Sequence, residues 1–303
     1  MAEKWVVETK DLAVGYDGRL VLENITLKIR ANVLTCIIGG SGSGKSTLLK
    51  ACVGLVRPVR GTVSLLGQRL GPREPEEARD TLLSRVGFMF QDGGLLNSLS
   101  VAENLAIPMR AHTRLPRSVI DDLVKMKLAL VRLEGAGNKL PNELSGGMKK
   151  RAGLARALML DPDVVFCDEP SAGLDPVTAA ELDRVFLQLR DALGLTLVVV
   201  THETASIKLI ADRIVELDHG GVNFDGTLDA ALASKAPTLR AFFGRVAGDE
   251  DDGEQAPTLD TLFNTEVPAD GDSEGAVVPE VPEVPPQSEE THDARTTRRG
   301  DTV

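Results

Sequence analysis

Residues 34–55 have the sequence LTCIIGGSGSGKSTLLKACVGL, in which three local patterns follow one another. Leu34–Ile38 is a continuous apolar run, typical of a strand buried on both faces of a parallel sheet. A glycine-rich octapeptide follows, and STLLKACVGL then has the apolar spacing of a helix. The octapeptide Gly39–Ser46 fits the pattern G-x-x-x-x-G-K-[ST] between a strand and a helix. This order predicts a phosphate-binding unit in an α/β protein.

The glycine loop contains the groups that a nucleoside triphosphate requires. Glycines let successive backbone N–H groups converge on phosphate oxygens, and the helix that begins near Lys45 adds its positive end. We expect Lys45 to reach the β- and γ-phosphates of ATP and the Ser46 hydroxyl to ligate Mg²⁺. A glycine-rich turn without function is the alternative, and the flanking strand and helix favour the site. The predicted ATP-binding residues of this loop are Gly39, Gly40, Ser41, Gly42, Ser43, Gly44, Lys45, Ser46 and Thr47.

A second apolar run, Val164–Cys167, ends in two carboxylates. Asp168 at the strand tip suits a second contact to Mg²⁺ through water, and Glu169 is then placed to polarise the attacking water. Acidic pairs are also common as ordinary loop or helix-cap residues. The glycine loop upstream favours the catalytic interpretation.

Two more polar residues follow apolar runs in the same way. His202 comes directly after Leu197–Thr201, and Gln91 after Val86–Phe90. Ligands of open α/β sheets bind at the carboxyl ends of the strands, which favours a functional role over a structural one. We expect His202 to contact the γ-phosphate and to hold Glu169 and water in register. We expect Gln91 to bridge Mg²⁺, water and the neighbouring subdomain.

Strand and helix patterns alternate along most of the chain. Short β-rich runs and turns fill residues 5–38, and strand patterns return near 62–66, 86–90, 163–168, 195–201 and 214–224. Helical spacing dominates residues 92–160 and recurs at 177–193 and 227–243. Strands separated by helices predict a parallel α/β core. The block 92–160 is predicted to be an inserted helical subdomain.

Charge separates the chain into two parts. The net charge is −11, yet residues 246–303 hold 16 Asp and Glu against 3 Arg, which leaves residues 1–245 with 31 basic and 29 acidic residues. The acidic, Pro-rich segment 246–303 is predicted to be a disordered tail. A nearly neutral body has no basic field for nucleic acid, so we expect no nucleic-acid partner.

Cysteine content and hydropathy indicate the compartment. Cys36, Cys52 and Cys167 are not spaced as metal ligands. We expect them to be reduced thiols in the core of a cytoplasmic protein. No apolar run approaches the ~20 residues that span a bilayer. We therefore expect any membrane role to depend on a partner.

The segment 144–148, LSGGM, precedes the helical stretch KKRAGLARALMLDP. A phosphate loop, a glutamine after a strand, LSGG, a strand ending in DE and a downstream histidine occur in that order. Over about residues 5–245 this combination resembles the ATP-binding subunits of ABC transporters. The resemblance implies a P-loop ATPase core over residues 1–245, with a small antiparallel β part and an inserted helical subdomain at about 92–160, and the acidic tail at 246–303.

The resemblance adds roles at matching positions. Tyr16, the only tyrosine, is similar to the aromatic residue that stacks on adenine, although a plain core or surface tyrosine remains the alternative. Ser145, Gly146 and Gly147 resemble the signature loop, which contacts ATP held by the other protomer. Asp175, at the end of SAGLD, resembles the D-loop across the same interface. The implied assembly is a homodimer with two shared sites for ATP and Mg²⁺.

A closer similarity involves residues 89–110, the Met148 that follows LSGG, and the segment TLRAFFGR at 238–245. These resemble the ATPase subunits of Mla-type phospholipid transporters, which work with Mce-domain proteins. The resemblance implies a membrane permease contacted by residues 92–110, in some systems a STAS-domain protein, and a peripheral location on the cytoplasmic face of the inner membrane. Residues 238–245 are expected to support accessory or dimer contacts.

Three alternatives stay open at this stage. One is an ABC transporter for another cargo, such as an amino acid, a metal or a lipoprotein. A soluble ABC ATPase such as a cluster-assembly factor has the same motifs. A module that binds ATP without hydrolysing it is disfavoured because Lys45, Gln91, Asp168, Glu169 and His202 are all present.

Overall fold

The computed structural model describes residues 4–70 and 82–244. The predicted tail at 246–303 and Arg245 lie outside the described residues. The strands are β1 (Trp5–Tyr16), β2 (Arg19–Arg30), β3 (Leu34–Gly39), β4 (Arg60–Leu65), β5 (Gln68–Leu70), β6 (Val86–Met89), β7 (Val164–Asp168), β8 (Thr196–Val200), β9 (Arg213–Asp218) and β10 (Gly221–Thr227). The helices are α1 (Lys45–Cys52), α2 (Val101–His112), α3 (Arg117–Leu130), α4 (Gly146–Ala157), α5 (Pro176–Leu193), α6 (Thr204–Ile210), α7 (Leu228–Leu232) and α8 (Pro237–Gly244), with a 3-10 turn at Pro141–Glu143.

The smaller sheet is antiparallel and has the strand order β2-β1-β4-β5. Its strands bury one face, as in β2, where Ile25, Leu27 and Ile29 alternate with exposed residues. β1 is twelve residues long and pairs with β2 on one side and β4 on the other. Together with helix α1, this sheet encloses one apolar core cluster.

The larger sheet has the order β10-β9-β3-β8-β7-β6. β9, β3, β8, β7 and β6 are parallel, and β10 is antiparallel to β9 at the edge. Every residue of β7 and β8 is buried, as expected for a sheet covered on both faces. The carboxyl ends of these parallel strands meet at one edge, so the residues that follow β3, β6, β7 and β8 converge there.

The helices form the second core with the larger sheet. This cluster joins buried residues of α2, α3, α4, α5, α6 and α8 to one face of the strands. α2 begins with a capping box in which the Ser100 hydroxyl accepts from the Glu103 N–H and the Glu103 carboxylate accepts from the Ser100 N–H. The result is an α/β protein with one antiparallel and one mostly parallel sheet, and it has the predicted fold class.

Candidate functional site

The glycine loop between β3 and α1 has a backbone that only glycine accommodates at two positions. Gly39 has φ +146°, and a Cβ there would lie 2.2 Å from the Leu217 carbonyl oxygen. Gly44 has φ +97°, and a Cβ there would lie 2.5 Å from Leu22 Cδ2. The loop therefore closes against β9 and β2, and α1 begins directly behind it with its free N–H groups directed at the loop.

Lys45 folds back over this loop. Its ammonium donates to the carbonyl oxygens of Gly39 at 3.0 Å and Gly40 at 2.8 Å. Burial lowers the pKa of Lys45, while the nearby carboxylates of Glu169 and Asp168 act in the opposite direction. The ammonium thus lies between the glycine loop and the two strand-end acids, where an anionic ligand would complete its coordination.

Ser46 and Asp168 meet at the start of α1. The Ser46 hydroxyl donates to Asp168 Oδ1 at 2.7 Å, and the Asp168 side chain is buried. One oxygen comes from the first turn of a helix and the other from the tip of β7. Paired oxygen ligands of this kind are what Mg²⁺ prefers, usually together with phosphate oxygens.

Glu169 turns away from β7 through an unusual backbone conformation. Its φ is +49°, in the left-handed region, and its N–H donates to the Val200 carbonyl at 2.9 Å. Such a conformation in a non-glycine residue is often found at active sites. It directs the carboxylate, of which only 14% is exposed, across the end of β8 toward His202.

The carboxylate of Glu169 and the imidazole of His202 form a hydrogen-bonded pair. His202 Nδ1 lies 3.0 Å from Oε1 and 2.9 Å from Oε2, and only the contact with Oε1 has hydrogen-bonding geometry. Within the described residues, the buried Oε2 has no hydrogen-bond partner. The Glu169 carboxylate is thus only partly satisfied, and a carboxylate of this kind at the wall of a ligand cavity can act as a general base toward water.

These groups surround an open cavity of about 850 Å³. The volume is in the range of small-molecule sites. The residues that line it are Val21, Gly39, Gly40, Ser41, Gly42, Gly44, Lys45, Ser46, Thr47, Gln91, Glu169, Ala172, His202, Thr204 and Phe242. The structure therefore brings together most of the glycine loop with Gln91, Glu169 and His202, as the strand-end argument predicts.

Other predicted residues lie at or beyond the margin of the cavity. Asp168 lies behind Ser46, and the buried Ser43 hydroxyl has no hydrogen-bond partner within the described part of the chain. Tyr16, at the end of β1, is 46% exposed and is not among the described residues that line the cavity. Its stacking role stays a prediction.

The signature residues and Asp175 lie together, apart from this cavity. The Ser145 hydroxyl caps α4 by accepting from the Met148 N–H at 3.2 Å. A Cβ at Gly147 would lie 2.3 Å from Thr178 Cγ2, so the signature loop packs against the start of α5. Asp175 caps that helix by accepting from the N–H groups of Val177 and Thr178, both at 3.0 Å. The Thr178 hydroxyl also donates to Asp175, and this hydrogen bond, followed by that from the Thr178 N–H, lowers the pKa of Asp175. Ser145 and Gly146 remain exposed.

Sequence analysis missed several residues of the site. Val21, Ala172, Thr204 and Phe242 line the cavity, and Lys150 contacts the loops that carry Gln91 and Glu169. Val21 had no signal beyond its strand pattern, whereas Ala172 lies in SAGLD and Phe242 in TLRAFFGR, two segments that were expected at interfaces and not at this cavity. Lys150 is one of three consecutive basic residues, and spacing alone does not single it out.

Comparison with known proteins places this geometry in a family. The family model described as ABC transporter matches residues 22–172. The probable ribonucleotide transport ATP-binding protein mkl of Mycobacterium tuberculosis is 36% identical over 282 residues, which cover 93% of this chain and 78% of that protein. The intermembrane phospholipid transport system ATP-binding protein MlaF of Haemophilus influenzae is 39% identical over 233 residues, which cover 76% of this chain and 87% of that protein.

The fold also matches that of a solved structure. A dimeric ATP-binding cassette in a post-hydrolysis state, bound to ADP and Pi, matches with a TM-score of 0.68 and 29% identity over 73% of this chain and 98% of that one. The predicted resemblance, the α/β ATPase fold and the ATPase activity are confirmed, and the roles of individual residues stay predictions. The chain belongs to the ABC transporter family as an ATP-binding, ATP-hydrolysing subunit.

Proposed function

We propose that this chain drives phospholipid transport between membranes as the ATPase subunit of an ABC transporter. The observation that best supports a role in ATP hydrolysis is the Glu169–His202 pair, which lines the same cavity as the glycine loop. The cargo is supported by the MlaF relatives and by the segments at 89–110 and 238–245 that resemble the Mla-type branch.

In the proposed mechanism the chain positions ATP and water and stabilises charge. The glycine loop and Lys45 hold the phosphates, and the Glu169 carboxylate accepts a proton from the attacking water. His202 keeps the Glu169 carboxylate oriented through Oε1 and contacts the γ-phosphate. The strained backbone at Glu169 places the carboxylate before substrate binds, which reduces the ordering that the reaction requires.

The oxygen ligands at the cavity fit Mg²⁺. Ser46 and Asp168 are the residues that would hold it, with Gln91 as a further ligand. When bound, Mg²⁺ would neutralise the negative charge that develops on the phosphate. In this chain Asp168 also accepts the Ser46 hydrogen bond, which fixes the hydroxyl at the start of α1.

A second copy of the chain completes the site. Ser145, Gly146 and Asp175 lie outside the cavity of their own chain, and the exposed residues of the signature loop have N–H groups at the start of α4. We propose that they contact ATP held by the partner protomer in a homodimer. The dimeric cassette that resembles this structure supports that arrangement.

The membrane connection is proposed to come through a permease. No helix in residues 4–70 and 82–244 is long and apolar enough to cross a bilayer. Phe90, which precedes Gln91, is 40% exposed and Leu96 is 52% exposed, and both lie in or beside the segment 92–110 that the coupling segment of a permease would contact. We place the chain at the cytoplasmic face of the membrane, with a Mce-domain protein and a STAS-domain protein as further partners.

The competing cargo is a ribonucleotide. The mkl protein of Mycobacterium tuberculosis, which is named as a probable ribonucleotide transport protein, aligns with 93% of this chain. The deciding experiment is affinity purification of the tagged chain from detergent-solubilised membranes, followed by mass spectrometry of proteins and small molecules. Recovery of a permease, a Mce-domain protein and phospholipid supports the proposal. A permease with bound nucleotide-like cargo supports the alternative, and full recovery from the cytosol without a permease contradicts both.

A further inference from the structure

Lys150 is the buried member of a basic run on helix α4. Its residue exposure is 7%, whereas Lys149 and Arg151 on either side are only half-buried. A lysine is seldom buried to this degree unless its ammonium is paired. Burial lowers the pKa of Lys150, and the carboxylates of Asp92 and Glu169 oppose that effect.

The Lys150 ammonium joins two loops of the site. Nζ donates to the backbone carbonyl of Gln91 and, at 3.2 Å, to the backbone carbonyl of Glu169. Gln91 follows β6 and Glu169 follows β7, so one cation contacts the backbone at both strand ends. The side chains of both residues line the cavity.

Close packing holds the loop after Gln91 flat against the same helix. A Cβ at Gly153 would lie 2.6 Å from the Gly93 carbonyl oxygen, and the Arg156 guanidinium donates to the Gly94 carbonyl. The segment 91–94 therefore rests on α4 along two turns. Lys150 extends this contact from α4 to Glu169.

We propose that Lys150 is a positioning residue for ATP hydrolysis, whose ammonium fixes the Gln91 and Glu169 loops relative to each other and to α4. Helix α4 begins at the signature residue Gly146 and is capped by Ser145, so contact of a partner with the signature is relayed to the Glu169 backbone through Lys150. The inference rests on the proposed roles of Gln91 and Glu169 and adds a residue that contacts neither ATP nor water.

The test compares three full-length variants by steady-state ATP hydrolysis and by ATP titration. Lys150→Met keeps the length of the side chain and removes the donor, and we expect kcat to fall about tenfold to a hundredfold, as for loss of hydrogen bonds to a charged group. The dissociation constant for ATP stays within about twofold, because Lys150 lies outside the phosphate loop. Lys150→Arg restores most of kcat, and Lys149→Met, the matched control, behaves as wild type.

A structural role is separated by two further readouts. Thermal unfolding gives the folded fraction of each variant at the assay temperature, and kcat is expressed per folded molecule. In a double-mutant cycle with Gln91→Ala, we expect the two losses to be clearly less than additive, since both act through the same loop.

The proposal is overturned if Lys150→Met keeps the wild-type kcat, or if its loss of activity equals its unfolded fraction. It is also overturned if Lys150→Arg is as impaired as Lys150→Met, or if the losses in kcat caused by Lys150→Met and Gln91→Ala are additive. Glu169→Gln, measured beside it, reports on the site itself. If Glu169→Gln is inactive while Lys150→Met is fully active, only the positioning role fails. If Glu169→Gln is fully active, the proposed role of Glu169 fails first.

Discussion

Replacing Glu169 with glutamine changes one property of the site and leaves its shape in place. The amide oxygen of glutamine can accept from His202 Nδ1 as Oε1 does now at 3.0 Å. The backbone hydrogen bond from residue 169 to Val200 and the left-handed φ of +49° belong to the main chain and are expected to persist. What is lost is the carboxylate as a proton acceptor for water.

The size of the effect distinguishes a general base from a residue that only orients its neighbours. A positioned general base contributes about 10²–10⁴-fold to a rate, or about 3–5.5 kcal/mol of activation free energy. Loss of a single hydrogen bond to a charged group costs about 1.5–3 kcal/mol, or about 10–100-fold. We therefore expect kcat of Glu169→Gln to fall by more than about a hundredfold.

The assay is phosphate release at saturating ATP and Mg²⁺, with ATP affinity measured separately by titration. ATP affinity should change little, because Lys45 and the glycine loop are intact, and the ATP-bound dimer should accumulate. Glu203→Gln, one residue after His202 and outside the cavity lining, is the control carboxylate and should hydrolyse ATP normally. A kcat for Glu169→Gln within tenfold of wild type, at unchanged ATP affinity, would refute the assigned role.

Two predictions concern stability. Gly39→Ala should lower the free energy of unfolding by at least about 2 kcal/mol, because φ +146° and the Leu217 carbonyl at 2.2 Å leave no room for a Cβ. Gly40→Ala meets nothing within 4 Å and serves as its control in denaturant titrations, where equal midpoints would contradict the argument. Burial raises the pKa of Cys52 from 9.0 to about 12, so between these pH values the thiolate forms only in the unfolded chain and stability falls as pH rises. Cys52→Ala should show a shallower fall between pH 9 and 11 in chemical denaturation, and parallel curves would show that this thiol is not responsible.

Most of the larger sheet could be predicted from sequence because its strands are continuous apolar runs. The run Leu34–Ile38 becomes β3 at Leu34–Gly39, and helix α1 begins at Lys45 as expected. The sequence predicts only short β-rich runs and turns over residues 5–38, whereas β1 is one strand from Trp5 to Tyr16. The polar stretch ETKD at residues 8–11 lacks the alternation of a strand, although β1 continues through it. The pairing with β2 shifts register there, and Asp11 has a positive φ of 47°. Such irregular pairing interrupts the alternation on which strand prediction depends.

The sequence predicts those residues of the site that follow the carboxyl ends of strands in the larger sheet. Glu169 comes directly after β7, Gln91 and His202 lie two residues after β6 and β8, and parallel strands bring their carboxyl ends together. The burial of Lys150 depends on how α4 packs against two loops, and the place of Phe242 depends on how α8 docks. Those contacts are set by tertiary packing between distant segments and leave no local pattern in the sequence.

Mixing two inactive chains tests most directly whether the catalytic site is shared by two copies. Lys45→Ala removes the phosphate contact of its own chain, and Ser145→Arg blocks the signature loop that contacts the partner's ATP. Each variant alone should be inactive, and an equal mixture should recover up to about a quarter of the wild-type rate, since half the dimers are mixed and each has one intact site. Full activity of Ser145→Arg alone, or no recovery in a mixture shown by cross-linking to contain mixed dimers, would contradict the shared site.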